Sequence, residues 1–233
     1  MPARKNVSGD GLSRRRSSPN LVGVMRILLV LLLTLATAQA AAADDLPAAL
    51  AELRHAWAKV YYQTPPDQQA AQFAALQERA DALVGQHPQA AEPLILKAII
   101  LSTYAEAKGS LDALSLVKSA RDAALAAAKI DEKADDAGAY TVLGVLYYKV
   151  PGWPIGFGNN RRARENLDRA LALAPDAIDA NYFYGDFLID QGEKAKARGF
   201  LEKALKAPAR PGREDEDAGR KREIEKDLAR LGD

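Results

Sequence analysis

Few residues in this sequence are of the types that catalyse reactions or hold metals. Cysteine is absent, which excludes disulfides, thiolate zinc sites and thiol nucleophiles. His55 and His87 are the only histidines, and neither has carboxylates at the spacing of metal ligands. The sequence also contains no Gly-x-Ser-x-Gly elbow, no glycine-rich phosphate loop and no His-Glu-x-x-His run. We therefore predict a protein that is not an enzyme and that holds neither a metal nor a cofactor.

Two acidic residues are candidates for binding a basic group. Asp186 and Asp190 lie four positions apart, so a helix would bring two like charges together at a cost of about 0.2–0.5 kcal/mol. Asp190 would also lie near the helix C-terminus, where the helix dipole disfavours an anion. We expect Lys194 and Lys196 to offset this charge, and the alternative is a basic side chain of a binding partner.

A loop rich in proline and glycine carries a second group of candidates. Residues 150–160 contain two prolines, three glycines, Trp153 and Phe157. This composition indicates a constrained turn with apolar surface. One interpretation packs both aromatic side chains against Tyr147 or the neighbouring helices. The other makes the loop a lid or a partner contact in which Trp153 is the anchor.

The first part of the sequence predicts export. Met25-Arg26, the apolar run at 27–36 and the alanines that follow have the pattern of a signal peptide at 25–43. The apolar run is far shorter than the roughly 20 residues of a membrane-spanning helix. Residues 1–24 are polar and basic; they are either a long extension of the signal peptide or, as we prefer, upstream sequence ahead of a start at Met25. We therefore predict a soluble periplasmic protein with no stable membrane span after cleavage.

The charge of the chain disfavours nucleic acid as a partner. The full chain has a formal net charge of +1, but residues 1–40 contain six basic residues and one acidic residue. The predicted exported part therefore carries a formal charge of −4. A mildly acidic protein is poorly suited to bind a polyanion.

The sequence after residue 160 repeats itself. Residues 162–175 resemble residues 196–208, and the Ala-Leu pairs that begin at positions 170 and 204 lie 34 residues apart. That spacing is the period of a stacked helix-turn-helix repeat. No segment alternates polar and apolar residues over a useful length, so we expect no β-sheet.

These units resemble the tetratricopeptide repeat. Small residues lie where that family packs the two helices of a unit together or turns between them, and in this sequence they are Gly144, Ala163, Ala170, Gly185, Gly192, Ala197 and Ala204. The earlier unit departs from the family pattern, because 19 positions separate Gly144 from Ala163 where the family has about 12. Residues 150–160 are the excess.

The resemblance implies an all-α fold of about nine helices. We expect a right-handed superhelix of stacked helix-turn-helix hairpins, similar to tetratricopeptide-repeat proteins, that ends in a C-terminal capping helix. The expected parts are a disordered extension at 1–24, a degenerate N-terminal hairpin at 44–91, three units with lengthened turns at 92–208, and a linker with the capping helix at 209–233.

The resemblance also implies a binding groove. In this family the first helix of each unit lines the concave face, where a protein or peptide binds. The residues that should face the partner are Thr141, Val145, Tyr148, Lys149, Tyr182, Asp186, Ile189 and Asp190. The predicted function is that of a non-enzymatic periplasmic adaptor. A weaker likeness to the T component associated with TRAP transporters gives the alternative, a ligand-handling accessory of a transport system with an apolar cavity beside the Trp153 loop.

Overall fold

The computed structural model describes residues 46–109 and 113–232, which belong to one compact unit. The predicted extension at 1–24 and signal peptide at 25–43 lie outside the described residues. The described residues form nine α-helices and no extended strand. None of these helices is both long enough and apolar enough to span a bilayer. The helices are α1 (residues 46–63), α2 (Pro66–Gln86), α3 (Ala91–Lys108), α4 (Ala113–Ile130), α5 (Ala134–Lys149), α6 (Asn160–Leu173), α7 (Ile178–Asp190), α8 (Lys194–Leu205) and α9 (Glu214–Leu231).

Neighbouring helices pack in pairs that stack on one another. α3 packs against α4, α5 against α6 and α7 against α8. Contacts between α3 and α5, α5 and α7, and α7 and α9 join these pairs into one stack. α1 contacts α3 through Trp57, whose Nε1 donates a hydrogen bond to Oγ1 of Thr103 at 3.1 Å. We call α1, α3, α5, α7 and α9 the inner helices. The predicted all-α stack of helical hairpins is confirmed.

Glycines let the helices of two pairs approach closely. A Cβ atom at Gly144 would lie 2.5 Å from Cγ of Leu167, and one at Gly185 would lie 2.9 Å from Cδ2 of Leu201. Only glycine therefore fits where α5 crosses α6 and where α7 crosses α8. The opposing helices present small residues at these contacts, and Ala163, Ala170, Ala197 and Ala204 are fully buried.

The connections within these two pairs differ in length. α7 and α8 are joined by residues 191–193, where Gly192 has a φ of 79° in the left-handed region that glycine tolerates. α5 and α6 are joined by residues 150–159, the loop that the sequence shows as an insertion. The close packing of the two pairs is the same, so the longer loop is not needed to form a hairpin.

The last helix closes the stack against the first. Ile224 of α9 is fully buried in a cluster with residues of α7 and α8, as expected for a capping helix. α9 also reaches α1, because the hydroxyl group of Tyr62 donates a hydrogen bond to Oε2 of Glu223 at 3.2 Å. Gly219 lies so close to the Tyr62 ring that a Cβ atom there would overlap it. The inner helices therefore surround a space instead of lining an open groove.

Candidate binding cavity

The inner helices line a cavity of about 910 Å³. Side chains of all five inner helices contribute to its walls, and the start of α4 and the loop between α5 and α6 lie at its edges. The volume is near the upper end of the range of about 300–1,000 Å³ found for small-molecule sites. A cavity of this size holds a small organic ligand or a few residues of a peptide.

Aromatic side chains of α1 form an apolar wall of the cavity. Trp57 stacks on Tyr61 with the ring centroids 5.3 Å apart, and Tyr62 lies edge-on to both rings. Burial raises the pKa values of Tyr61 and Tyr62 above the ordinary value of a phenol, and the nearby carboxylate of Glu223 raises them further. Both phenols therefore stay neutral at physiological pH and can donate or accept hydrogen bonds.

A network of ion pairs forms a second wall. The carboxylate of Asp179 in α7 lies 2.8 Å from Nη1 of Arg210 and 2.8 Å from Nε of Arg220. Burial alone would raise the pKa of Asp179, but the guanidinium groups of Arg210, Arg220 and Arg213 outweigh this effect and hold the pKa well below its ordinary value. Asp179 is therefore a fixed negative charge that is already paired.

Asp135, at the start of α5, is paired in the same way. Its carboxylate lies 2.9 Å from Nη2 of Arg54 and 2.6 Å from Nη1 of Arg213. Burial opposes ionisation, yet Arg54 and Arg213 lower the pKa of Asp135 below its ordinary value. The same two arginines also approach Glu216 of α9, at 3.6 Å and 2.6 Å. This network ties α1, α5 and α9 together.

The backbone that presents Asp135 to these arginines is strained. Asp135, Asp136 and Ala137 have φ angles of 53°, 54° and 57°, in the left-handed region. This conformation costs roughly 1–2 kcal/mol per residue for residues other than glycine, and least for aspartate and asparagine. The ion pairs of Asp135 help to offset that cost. Such strain is common at functional sites, and both aspartates line the cavity.

Two carboxylates that line the cavity have no ion-pair or hydrogen-bond partner among the described residues. They are Glu106 of α3 and Asp136 of α5. Desolvation by the surrounding protein raises the pKa of Glu106, and repulsion from Glu223 raises it further. In total, eight acidic and five basic residues line the cavity. Both observations favour a ligand that carries a positive charge.

Asp186 has different partners from those that the sequence suggested. The hydroxyl group of Tyr148 donates a hydrogen bond to Oδ2 of Asp186 at 2.6 Å, and Nζ of Lys149 lies 2.8 Å from the same oxygen. Lys196 instead pairs with Glu193, at 2.6 Å. The expectation that Lys194 and Lys196 offset Asp186 was therefore wrong. Burial first, and then Asp186, raises the pKa of Tyr148 well above its ordinary value, so this phenol remains a donor.

The structure brings five of the eight predicted groove residues to the cavity. These are Thr141, Val145, Lys149, Tyr182 and Asp186. The other three do not line it. Tyr148 lies behind the wall as the donor to Asp186, Ile189 packs against the hydrophobic core, and the carboxylate of Asp190 accepts a hydrogen bond from Gln191 at 2.8 Å.

The two aromatic residues of the loop have different surroundings. Phe157 packs edge-on against Tyr147 with the centroids 5.7 Å apart, and the guanidinium group of Arg121 lies 4.5 Å from its ring centroid. Trp153 is 90% exposed. The packing interpretation therefore holds for Phe157 and is wrong for Trp153.

Sequence reasoning missed the contribution of α9 to the cavity. Arg220 of this helix lies over the rings of Tyr182 and Phe183, 4.5 Å and 4.4 Å from their centroids, and it also binds Glu223. Six residues of α9 line the cavity: Glu216, Arg220, Glu223, Lys226, Asp227 and Arg230. The sequence showed this segment only as charged with an apolar stripe, which predicts a cap but gives no sign of a wall.

The described residues contain no group of three or more metal-ligating side chains. His55 contacts the carboxylate of Asp215, and both side chains are exposed. His87 lies at the C-terminal end of α2.

A comparison with known families matches the model of the tetratricopeptide repeat to residues 155–211, which include α6, α7 and α8. This part of the chain is therefore similar to a tetratricopeptide repeat. Tetratricopeptide repeats are protein-interaction scaffolds and are in general not enzymes. The matched residues include the pair α7 and α8, whose first helix contributes Tyr182 and Asp186 to the cavity. No curated protein matches the chain.

Proposed function

We propose that this protein is a non-enzymatic, exported adaptor that binds a short segment of a partner protein in the cavity of its inner helices. The observation that supports this most is that predicted groove residues of two different units, among them Val145 and Tyr182, line the same cavity. The protein-binding role of tetratricopeptide repeats supports it as well.

The chemistry of the walls favours an extended segment with one apolar and one basic side chain. The apolar side chain would lie against Trp57 and Tyr61, and the basic one near Glu106 or Asp136, neither of which has an ion-pair or hydrogen-bond partner in the described part of the chain. Because α9 forms one wall, the cavity suits a few residues better than a long helix.

The test compares two glutamates that both lack an ion-pair partner among the described residues. Glu106 lines the cavity, and Glu78 lies exposed on α2. Short labelled peptides that differ only in a basic, neutral or acidic residue are titrated with the protein, and fluorescence anisotropy reports binding. We expect the basic peptide to bind best and Glu106→Gln to weaken it by ~10-fold, since a hydrogen bond to a charged group contributes about 1.5–3 kcal/mol. An equal loss with Glu78→Gln, or no peptide binding, would contradict the proposal.

A photo-crosslinking residue identifies the partner in cells. Val145 lines the cavity and is only partly buried, so a benzophenone side chain there should crosslink whatever enters it. The crosslinked product is identified by mass spectrometry. The same probe at the exposed position Leu125 is the control. A partner that crosslinks equally from both positions does not occupy the cavity.

The second candidate function is the handling of a small ligand, as an accessory of a transport system. The enclosure of the cavity by α9 and its volume of about 910 Å³ favour it. A ligand that binds only the folded protein raises its melting temperature. Thermal shifts with amines, organic acids and lipid-like compounds therefore separate the two candidates, since an adaptor should respond to peptides alone.

Export to the periplasm is part of the proposal and is supported by the pattern at residues 25–43. Fractionation of cells and mass spectrometry of the mature N-terminus test it. Retention of residues 1–43 in the cytoplasmic fraction would contradict it.

A further inference from the structure

The end of the loop between α5 and α6 is the most exposed large apolar feature of the described residues. Trp153 is 90% exposed and Ile155 is 63% exposed. The other exposed large hydrophobic residues in the described ranges, Leu125 and Ile130, reach only 40% and 41%. We call Trp153, Pro154 and Ile155 the loop tip. Contiguous apolar surface of this kind indicates contact with another surface.

The base of the loop holds the tip in one conformation. The backbone N–H of Asn159 donates to the carbonyl oxygen of Tyr147 at 2.7 Å, and that of Gly158 donates to the carbonyl oxygen of Pro151 at 3.0 Å. Phe157 anchors the loop against the ring of Tyr147. Little conformational entropy remains to be lost when the tip binds, and such preorganisation favours affinity.

The sequence that flanks the loop tip is basic. No acidic residue occurs between Asp136 and Glu165, whereas four basic residues do. The Arg161 side chain is 80% exposed, and its ion pair with Glu165 is long, at 3.9 Å. Arg162 has no acidic partner among the described residues, and its guanidinium group lies 5.7 Å from the ring centroid of Tyr147. Both arginines lie in the first turn of α6, where the helix dipole adds positive potential.

We propose that the loop tip docks on an anionic lipid surface, with Trp153 and Ile155 inserted at the level of the headgroups and Arg161 and Arg162 facing lipid phosphates. The indole ring has an apolar body and an N–H donor, which suits it to the interface between water and lipid. This role is a reversible surface contact, distinct from spanning the membrane and from ligand binding in the cavity.

The size of the exposed patch favours a lipid surface over a protein partner. A tryptophan and an isoleucine offer on the order of 300 Å² of apolar contact. A stable protein interface buries about 800 Å² on each partner. A membrane contact needs only a few inserted side chains when basic residues add electrostatic attraction to anionic lipids. The edge of the cavity includes Pro151 and Ile155, so docking would bring the cavity next to the lipid.

The experiment uses the fluorescence of Trp153. The chain has two tryptophans, and Trp57 is only 5% exposed, so emission that changes on docking comes from Trp153. The exported protein is mixed with vesicles of phosphatidylcholine alone or with phosphatidylglycerol added. We expect a blue shift and quenching by brominated lipid only with the anionic vesicles, and loss of both at high salt. In a Trp153→Phe variant the remaining signal of Trp57 should not respond.

Vesicle sedimentation of variants measures how much the apolar and the basic side chains contribute to lipid binding. Ile155→Ala and the double change Arg161→Gln with Arg162→Gln should each reduce the partition coefficient by ~10-fold. Ile130→Ala, an exposed isoleucine outside the loop, should leave it unchanged. All variants share the same N-terminus, so any binding by residues outside the described part is common to them.

Three outcomes would overturn the proposal. The first is a Trp153 signal that brominated lipid does not quench. The second is equal binding to neutral and anionic vesicles at all salt concentrations. The third is a blue shift that depends on protein concentration without vesicles, because a second copy of the chain would then cover the loop tip.

Discussion

The two ends of α5 differ in whether their side chains have partners within the protein. At its start, Asp135 is 9% exposed in its side chain and is bound by Arg54 and Arg213. At its end, the loop leads directly to Trp153, which nothing covers in the described part of the chain. Groups that the protein pairs internally hold the helices in position. We propose that groups left exposed or unpaired on this frame are the sites where other molecules bind.

The largest expected effect comes from removing the charge of Asp135. Asparagine has the same shape and also tolerates the left-handed backbone, so Asp135→Asn changes mainly the electrostatics. We expect the free energy of unfolding to fall by about 3 kcal/mol, because Arg54 remains buried without its main counter-charge. Urea denaturation measures the change.

The control for this variant is Asp176→Asn. Asp176 pairs with Lys203 at 3.2 Å, but its side chain is 80% exposed. An exposed pair contributes little, so the stability should stay within about 0.5 kcal/mol. Similar losses for both variants would mean that burial of the Asp135 ion pair does not increase its contribution to stability.

A smaller effect is expected where α9 meets α1. Gly219→Ala would place a methyl group against the Tyr62 ring, and overpacking of this kind costs about 1–3 kcal/mol. Gly199→Ala, in α8, has open space around it and should stabilise the protein by up to about 1 kcal/mol. Thermal denaturation should show a lower melting temperature for Gly219→Ala and a higher one for Gly199→Ala. Stabilisation by Gly219→Ala would show that α9 does not close on α1.

Acid should weaken the ion-pair network that contains Asp135 of α5 and Asp179 of α7. The pKa values of Asp135 and Asp179 are lower in the folded protein than in the unfolded chain. Their contribution to stability is therefore complete above a pH of about 4 and is lost as the pH falls below it, at up to about 1.4 kcal/mol per pH unit for each group. Urea titrations at decreasing pH should show this loss, with a shallower slope for Asp135→Asn. If the free energy of unfolding fell equally steeply with pH in both proteins, the lowered pKa of Asp135 would be contradicted.

The smallest effects on stability are expected at the loop. Phe157→Ala should cost about 1–2 kcal/mol, because it removes half-buried contacts with Tyr147 and Arg121. Trp153→Ala should change stability by less than about 0.5 kcal/mol, because its side chain is almost fully exposed. Urea denaturation distinguishes the two. A large loss for Trp153→Ala would mean that the tryptophan supports the fold.

The helical stack could be predicted because its determinants are local and periodic. Gly144 and Gly185 are each followed by small residues that their helices must contact, and the Ala-Leu pairs that begin at positions 170 and 204 recur after 34 residues, so the pattern is visible in one sequence. The same pattern places helix faces: Val145 and Tyr182 were expected in an open groove, and they line the cavity.

The remaining features depend on contacts between distant residues. Tyr62 binds Glu223 across 161 positions, and Tyr148 binds Asp186 across 38. Periodicity carries no information about such pairs, and for Asp186 the nearby lysines suggested the wrong partner. The left-handed backbone at residues 135–137 had one indication in the sequence. Two consecutive aspartates occur there, and aspartate tolerates this conformation better than most residues.

The contact between α1 and α9 also affects how the molecule opens. A linear array of repeats frays from its termini, since each terminal unit has only one neighbour. Here the first and last inner helices shield each other through Tyr62, Gly219 and Glu223. α1 and α9 should therefore open as a single cooperative unit. A variant or condition that changes the rate of amide hydrogen exchange in one of these helices should change it in the other in the same direction.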